Sequence, residues 1–239
     1  MARAGIPLLA VLIDADNSSP KWAEAIFEEI ASLGEASVRR VYGDFSRQQM
    51  AGWHDAVPTL GLVPHHSPAN TVGKNASDIA LVIDAMDLMH SGRFDGFVLV
   101  SSDSDFTRLA SRIREQGLDV YGIGQRKTPS AFRMACKRFI FVENLTGEPE
   151  PETRGAPRRD KPADAVPLIL AAMQAIDNDQ DWFAMGPLGQ KITANHPDFD
   201  SRTYGCAKLS DLVRKTGEFE TRTTGNQLEL RHKPKRGGK

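Results

Sequence analysis

The chain is poor in cysteine, with Cys136 and Cys206 alone in 239 residues. That argues against a disulfide framework and against a thiolate metal cage, and it suits two buried free thiols in a reducing cytoplasm, the expected location. A long uncharged apolar segment is also missing. The chain enters its first strand-like run almost at once, so neither a membrane span nor a signal peptide is expected. Charge of one sign is lacking too: the formal net charge is −1, so no global basic field announces nucleic acid, although a local patch would suffice to bind it. With 40% apolar and 26% charged residues, the remainder reads as ordinary globular material for one large domain or two smaller ones.

What is present is a telling placement of acids. Asp14 ends the apolar run Leu8–Ile13, and Asp103 and Asp105 follow the run Phe97–Val100. Short apolar runs bounded by polar residues read as buried strands of a parallel sheet. Strand-like runs at 8–13, 38–42, 61–64, 97–101, 120–124 and 139–142 alternate with helical patterns near 20–33, 46–60, 75–91, 105–116 and 129–136. Alternation of this kind means βαβ units, hence an α/β fold with a parallel sheet flanked by helices over residues 1–146. Open sheets of this class gather ligands at the carboxyl ends of their strands, which is where these acids fall.

Residues 147–162 contain four prolines and no large apolar residue, and read as a solvated linker. Residues 163–233 read as a small α+β unit of winged-helix outline. Helices are expected near 163–176, 186–194 and 203–216, followed by a hairpin turning at Thr224-Gly225-Asn226. The basic tail 234–239 is expected to be disordered.

Asp78 completes the acidic set. On the helix 75–91 it shares a face with Leu81, Val82, Ala85 and Met89, whereas Asp84 and Asp87 point away and read as solvated surface acids. A carboxylate on a buried helix face is costly unless paired or metal-bound; the plain alternative is an acid favoured by the helix dipole. For Asp103 and Asp105 the plain alternative is helix capping, and for Asp14, Asp16 and Asn17 it is turn formation. Converging carboxylates repel unless a hard divalent cation sits between them, which points to metal-dependent phosphodiester chemistry. Asn17 could orient a bound water or a phosphate oxygen. Lys74 could reach a phosphate, as could Arg108, Arg126 and Lys127. His65 and His66 read as loop residues, because neighbours on a strand face opposite ways and make poor joint ligands. Asp14-Ala15-Asp16 also mimics the nucleophile motif of haloacid-dehalogenase-like phosphatases, but Asp78 would then have no role and no cap insertion is visible.

Three separated motifs, Val11-Leu12-Ile13-Asp14-Ala15-Asp16-Asn17, Lys74 with Asp78, and Val100-Ser101-Ser102-Asp103-Ser104-Asp105-Phe106, resemble the NYN domain of PIN-like nucleases in its LabA-like branch. The resemblance covers roughly residues 6–146. It implies a Rossmann-like sheet and Mg²⁺- or Mn²⁺-dependent RNA cleavage, with Asp14, Asp78, Asp103 and Asp105 as metal-site acids and Asn17 as their polar companion. The stretch Phe199–Leu212, with its Tyr204-Gly205-x-x-Lys208-Leu209-x-Asp211-Leu212 core, resembles an OST-HTH (LOTUS) domain. Such domains look like winged helices that bind RNA or a protein partner. Arg202, Tyr204 and Lys208 are then candidate RNA contacts. Over 163–239, however, 11 Lys/Arg face 10 Asp/Glu, a balance that suits a protein-binding module as well. The expectation is a ribonuclease whose linker raises the effective concentration of RNA held by the small domain. The rival expectation is a non-catalytic RNA- or protein-binding adaptor.

Overall fold

The structure is a computed structural model, and it describes residues 5–67, 76–146, 160–176 and 181–233. The chain divides into two compact units, residues 1–149 and 150–239.

The first unit alternates strand and helix throughout: β1 (Leu8–Asp14), α1 (Ala23–Ala31), β2 (Glu35–Gly43), α2 (Ala51–Thr59), β3 (Val63–His66), α3 (Ala76–His90), β4 (Gly96–Val100), α4 (Thr107–Glu115), β5 (Asp119–Gly124), α5 (Ser130–Ala135), β6 (Arg138–Phe141) and the single turn α6 (Glu143–Thr146). All five strand pairings are parallel, and the order across the sheet is β3-β2-β1-β4-β5-β6. The apolar runs are continuous because both faces are covered. Ala10 and Leu12 of β1 pack with Leu81, Ala85 and Leu109 on the α3–α4 side, while Leu9, Val11 and Ile13 pack with Ile26, Ile30 and Trp53 on the α1–α2 side.

The strand order determines where a ligand can sit. From β1 the chain builds outward to β2 and β3, then returns through α3 to place β4 on the other side of β1. Connections leave β1 and β4 in opposite directions, and a crevice opens above their carboxyl ends. A crossover helix runs back against the strands it joins, so the first turn of α3 lies over the same rim.

Two expectations about this unit need correction. The strand expected at 61–64 forms at Val63–His66, so His65 and His66 are strand residues and not loop residues. Their side chains do alternate: His65 turns toward Asp84 (3.3 Å) and His66 toward Phe45. Asp84 is no solvated surface acid. Its Oδ2 accepts from Arg40 Nη1 (2.7 Å) and Tyr42 Oη (2.8 Å), a site that only the tertiary approach of β2 to α3 creates.

The second unit comprises α7 (Val166–Gln174), β7 (Phe183–Ala184), α8 (Met185–Asn195), α9 (Leu209–Thr216), β8 (Phe219–Thr224) and β9 (Gln227–His232). Its antiparallel sheet has the order β7-β9-β8, so a two-residue strand completes the expected hairpin. Leu230, Phe219, Leu188, Ile169 and Leu212 form its core. The helix expected at 203–216 is broken. A 3-10 turn at Ser201–Tyr204 ends at Gly205 in the left-handed conformation (φ 69°), and α9 begins only at Leu209. Among the described residues no helix is long and apolar enough to cross a membrane.

Close packing at β5 leaves no room for one more carbon. A Cβ at Gly122 would lie 2.5 Å from Phe139 Cδ2 and 2.8 Å from Cys136 Sγ. Gly122→Ala should cost the first unit about 1–3 kcal/mol in urea unfolding. Gly186→Ala in α8, with nothing within 4 Å, should leave the second unit as stable or slightly more so.

Candidate active site

Asp14 is the last residue of β1 and is 1% exposed. A carboxylate so placed must be compensated by donors. Its Oδ1 accepts the backbone N–H groups of Asp16 and Asn17, both at 3.1 Å. Its Oδ2 accepts Asn17 Nδ2 (2.9 Å) and Ser101 Oγ (2.7 Å). The Asp-x-x-Asn spacing makes this possible: the chain turns immediately after the strand and folds the Asn17 amide back onto Asp14. Burial raises the Asp14 pKa, and the Ser101 and Asn17 hydrogen bonds oppose that rise.

Ser101 joins the two central strands. It is 2% exposed, donates to Asp14 across the β1–β4 pair, and its Oγ accepts the backbone N–H of Asp103 at 3.0 Å. Asp103 in turn caps the 3-10 turn Ser104–Phe106, accepting from Asp105 N at 2.9 Å. Ser102 Oγ accepts from Gln125 N (2.9 Å), which ties this loop to the end of β5. Asp103 therefore does cap, while Ser101 ties the loop to Asp14 and Ser102 ties it to β5. A Cβ at the neighbouring Gly124 would lie 2.5 Å from the Ser101 carbonyl oxygen, so β5 can approach this closely only with glycine there.

Asp78 occupies the first turn of α3, and its pKa is pushed up to about 6. Burial is the largest cause, followed by the negative charges of Asp14, Asp103, Asp16 and Asp105 in that order. Five carboxylates from three chain segments thus share one field. Asp16, read from sequence only as a turn residue, bears on Asp78 more than Asp105 does. Ser77 Oγ donates to Asp16 Oδ2 (2.9 Å) and links α3 to the turn after β1. Ser77 and Ser101 escaped the sequence reading of the site; Ser101 carried a faint signal as the serine nearest the strand end.

The remaining candidates divide. Arg108 and Lys127 are exposed at the same rim. Arg126 donates its backbone N–H to Glu143 Oε1 (3.0 Å) and lays its guanidinium over the Phe141 ring, 5.6 Å from the centroid. Lys74 lies outside the described residues. In the second unit Lys208 is exposed, whereas Arg202 is clamped to Asp200 through Nε and Nη2 (2.6 Å), and Tyr204 packs on the core beside Phe199, ring centroids 5.9 Å apart.

All the clustered donors are carboxylate oxygens, the set a hard dication selects, and their mutual repulsion is what such an ion would relieve. Among the described residues, no three His, Cys, Asp or Glu side chains stand close enough together to hold one. The donor chemistry fits a hard divalent cation.

The Asp78 shift has a thermodynamic sign. Its pKa is higher in the folded than in the unfolded chain, so the ionised group opposes folding above about pH 6, and the penalty fades as pH falls from about 6 toward 3.8. In metal-free protein Asp78→Asn should therefore raise the melting temperature at pH 7.5, and the gain should vanish by pH 4. A gain of equal size at both pH values would contradict the raised Asp78 pKa.

A family model for the NYN domain matches residues 8–143, more than half of the chain, and one for the OST-HTH/LOTUS domain matches residues 160–228. No curated protein matches the chain. Among solved structures it is similar to a protein of unknown function from Vibrio parahaemolyticus, at 20% identity and TM-score 0.49, over 59% of this chain and 96% of that one. It is also similar to an uncharacterised protein from Nitrosomonas europaea, at 31% identity and TM-score 0.29, over 39% of this chain and 95% of that one. NYN domains belong to the PIN-like nuclease superfamily, and a LOTUS domain suggests RNA binding. With its acids at the β1–β4 rim and both family matches in the order expected, this chain belongs to the NYN domain family and carries an OST-HTH/LOTUS domain after it.

Proposed function

We propose that the protein is a Mg²⁺- or Mn²⁺-dependent ribonuclease of the LabA-like branch, acting in the cytoplasm. The observation that carries this reading is that Asp14, Asp103, Asp16 and Asp105 all bear on Asp78 at the sheet's switch point, adding to burial in lifting its pKa to about 6. Asp14, Asp78 and Asp103 would hold the ion directly, with Asp105 and Asp16 acting directly or through water. These acids would hold a divalent ion, which would supply a water of lowered pKa and neutralise charge at phosphorus. The chain's own groups fix the geometry. Asn17 and Ser101 set the orientation of Asp14, and Ser101 also holds the Asp103 backbone. Arg108 and Lys127, both exposed, and Arg126 would be the cations that meet the RNA backbone. The LOTUS domain, tethered through the linker, would recruit RNA or a protein partner.

A phosphatase using Asp14 as nucleophile fits less well. Asp78, whose pKa is raised by burial and by the neighbouring acids, would have no role in that chemistry. One observation favours the adaptor as a second reading: among the described residues no three acids stand within ion-holding distance.

The test uses full-length protein and end-labelled single-stranded and structured RNA, with Mn²⁺, Mg²⁺ or EDTA. Cleavage should require the metal, and Asp103→Asn should abolish it while RNA binding persists. Ser101→Ala should lower the rate by about 10- to 100-fold, as loss of a group that orients a metal ligand does. Failure to cleave any RNA under these conditions would favour the adaptor.

A further inference from the structure

The carboxyl rim carries a second constellation that the acidic site does not use. Phe45 follows β2 by two residues, His66 ends β3, and His54 lies on α2. The Phe45 ring stands 6.3 Å from the His54 ring and 6.4 Å from the His66 ring, centroid to centroid, at interplanar angles of 59° and 52°. Both histidines are exposed, while Phe45 is half-buried, with one side against the core on the α1–α2 side of the sheet.

This group is held in place. Phe45 N donates to His66 Nδ1 (3.3 Å), so a neutral His66 ring carries its proton on Nε2 and presents a donor there. Ser67 N donates to Gly43 O (3.2 Å), which fastens the end of β3 to β2. The turn bearing Phe45 is braced by Asp44, 8% exposed, which accepts from Ser46 N (3.2 Å) and Arg47 Nε (3.1 Å). A half-exposed aromatic ring fixed by its neighbours binds a planar partner with little loss of entropy.

Its position relative to the acids gives it a function. A Cβ at Gly43, two residues before Phe45, would lie 3.8 Å from Asp16 Oδ2. Strands are about 4.8 Å apart, so His66 on β3 is about 10 Å from the end of β1. Stacked nucleotides rise about 3.4 Å each, so roughly three span that distance. A strand whose phosphate sits at the acids and which crosses the rim from the α3–α4 side toward the α1–α2 side reaches Phe45 with a nucleotide close to the cut.

We propose that Phe45, with His54 and His66 beside it, is the platform on which the substrate stacks an unpaired base near the scissile phosphate. The inference rests on the ribonuclease reading and narrows it: the enzyme takes RNA whose bases near the cut are unpaired, because a ring can stack only on a base released from its own helix. The His66 Nε2–H adds a donor for that base or its phosphate.

The experiment pairs Phe45→Leu, which keeps apolar bulk but removes the ring, with Phe45→Trp, which keeps an aromatic face; melting temperatures confirm that both are folded. On single-stranded RNA, Phe45→Leu should raise KM at least fivefold with kcat little changed, the scale of one lost base stack. Phe45→Trp should keep the parental KM. In EDTA, oligonucleotides carrying 4-thiouridine at successive positions should photo-crosslink to Phe45, His54 or His66 from one narrow window of positions. A parental KM for Phe45→Leu, or adducts that avoid all three residues, overturns the proposal while leaving the ribonuclease reading in place. Absence of cleavage by the parent protein overturns that reading, and the crosslinks then decide the platform separately.

Discussion

The site depends on the burial of one carboxylate. Asp14 sits at the end of a central strand with almost none of its surface in water, where an ion without donors could not persist. Every nearby feature answers that need: the turn that returns Asn17, the two backbone N–H groups aimed at Oδ1, and Ser101 reaching over from β4. Ser101 then positions Asp103, so the geometry of one acid is passed to the next through a single hydroxyl. The negative field felt by Asp78 follows from this arrangement, because the helix that carries it must start over the same rim.

Much of the first unit was legible in the sequence because a doubly covered parallel sheet writes itself as uninterrupted apolar runs, and Leu8–Ile13 and Phe97–Val100 are of that kind. Asp14, Asp78, Asp103 and Asp105 could be picked out because each stands at a run's end or on a buried helix face. Features made by tertiary approach were hidden. Asp84 looks like any surface acid until β2 and β3 deliver Arg40, Tyr42 and His65 to it. Ser101 resembles one more capping residue until the strand pairing places it beside Asp14. His65 and His66 carried the correct alternation, but the strand was expected two residues early, at 61–64, which left both outside it.

The second unit differs in kind. Several of its basic residues are engaged locally: Arg222 with Glu229 (2.6 Å), Arg231 with Glu220 (2.6 Å), Arg202, one of the candidate RNA contacts, with Asp200, and Lys215 with the Gly205 carbonyl (3.2 Å). Across β8 and β9 these pairs lie opposite one another, and Arg222 and Arg231 both lie over Trp182, at 4.2 and 4.8 Å from its ring centroid. Such a surface offers planar guanidinium and indole faces in place of a strong field.

Gly124 contributes no functional group and touches no acid, yet the carbonyl of Ser101 lies where its side chain would be. The hydroxyl that orients Asp14 is carried by the same residue as that carbonyl. The chemistry of the rim is thus tied to the absence of a side chain one strand away: a methyl group at residue 124 could not be added without moving the residue that holds the first acid.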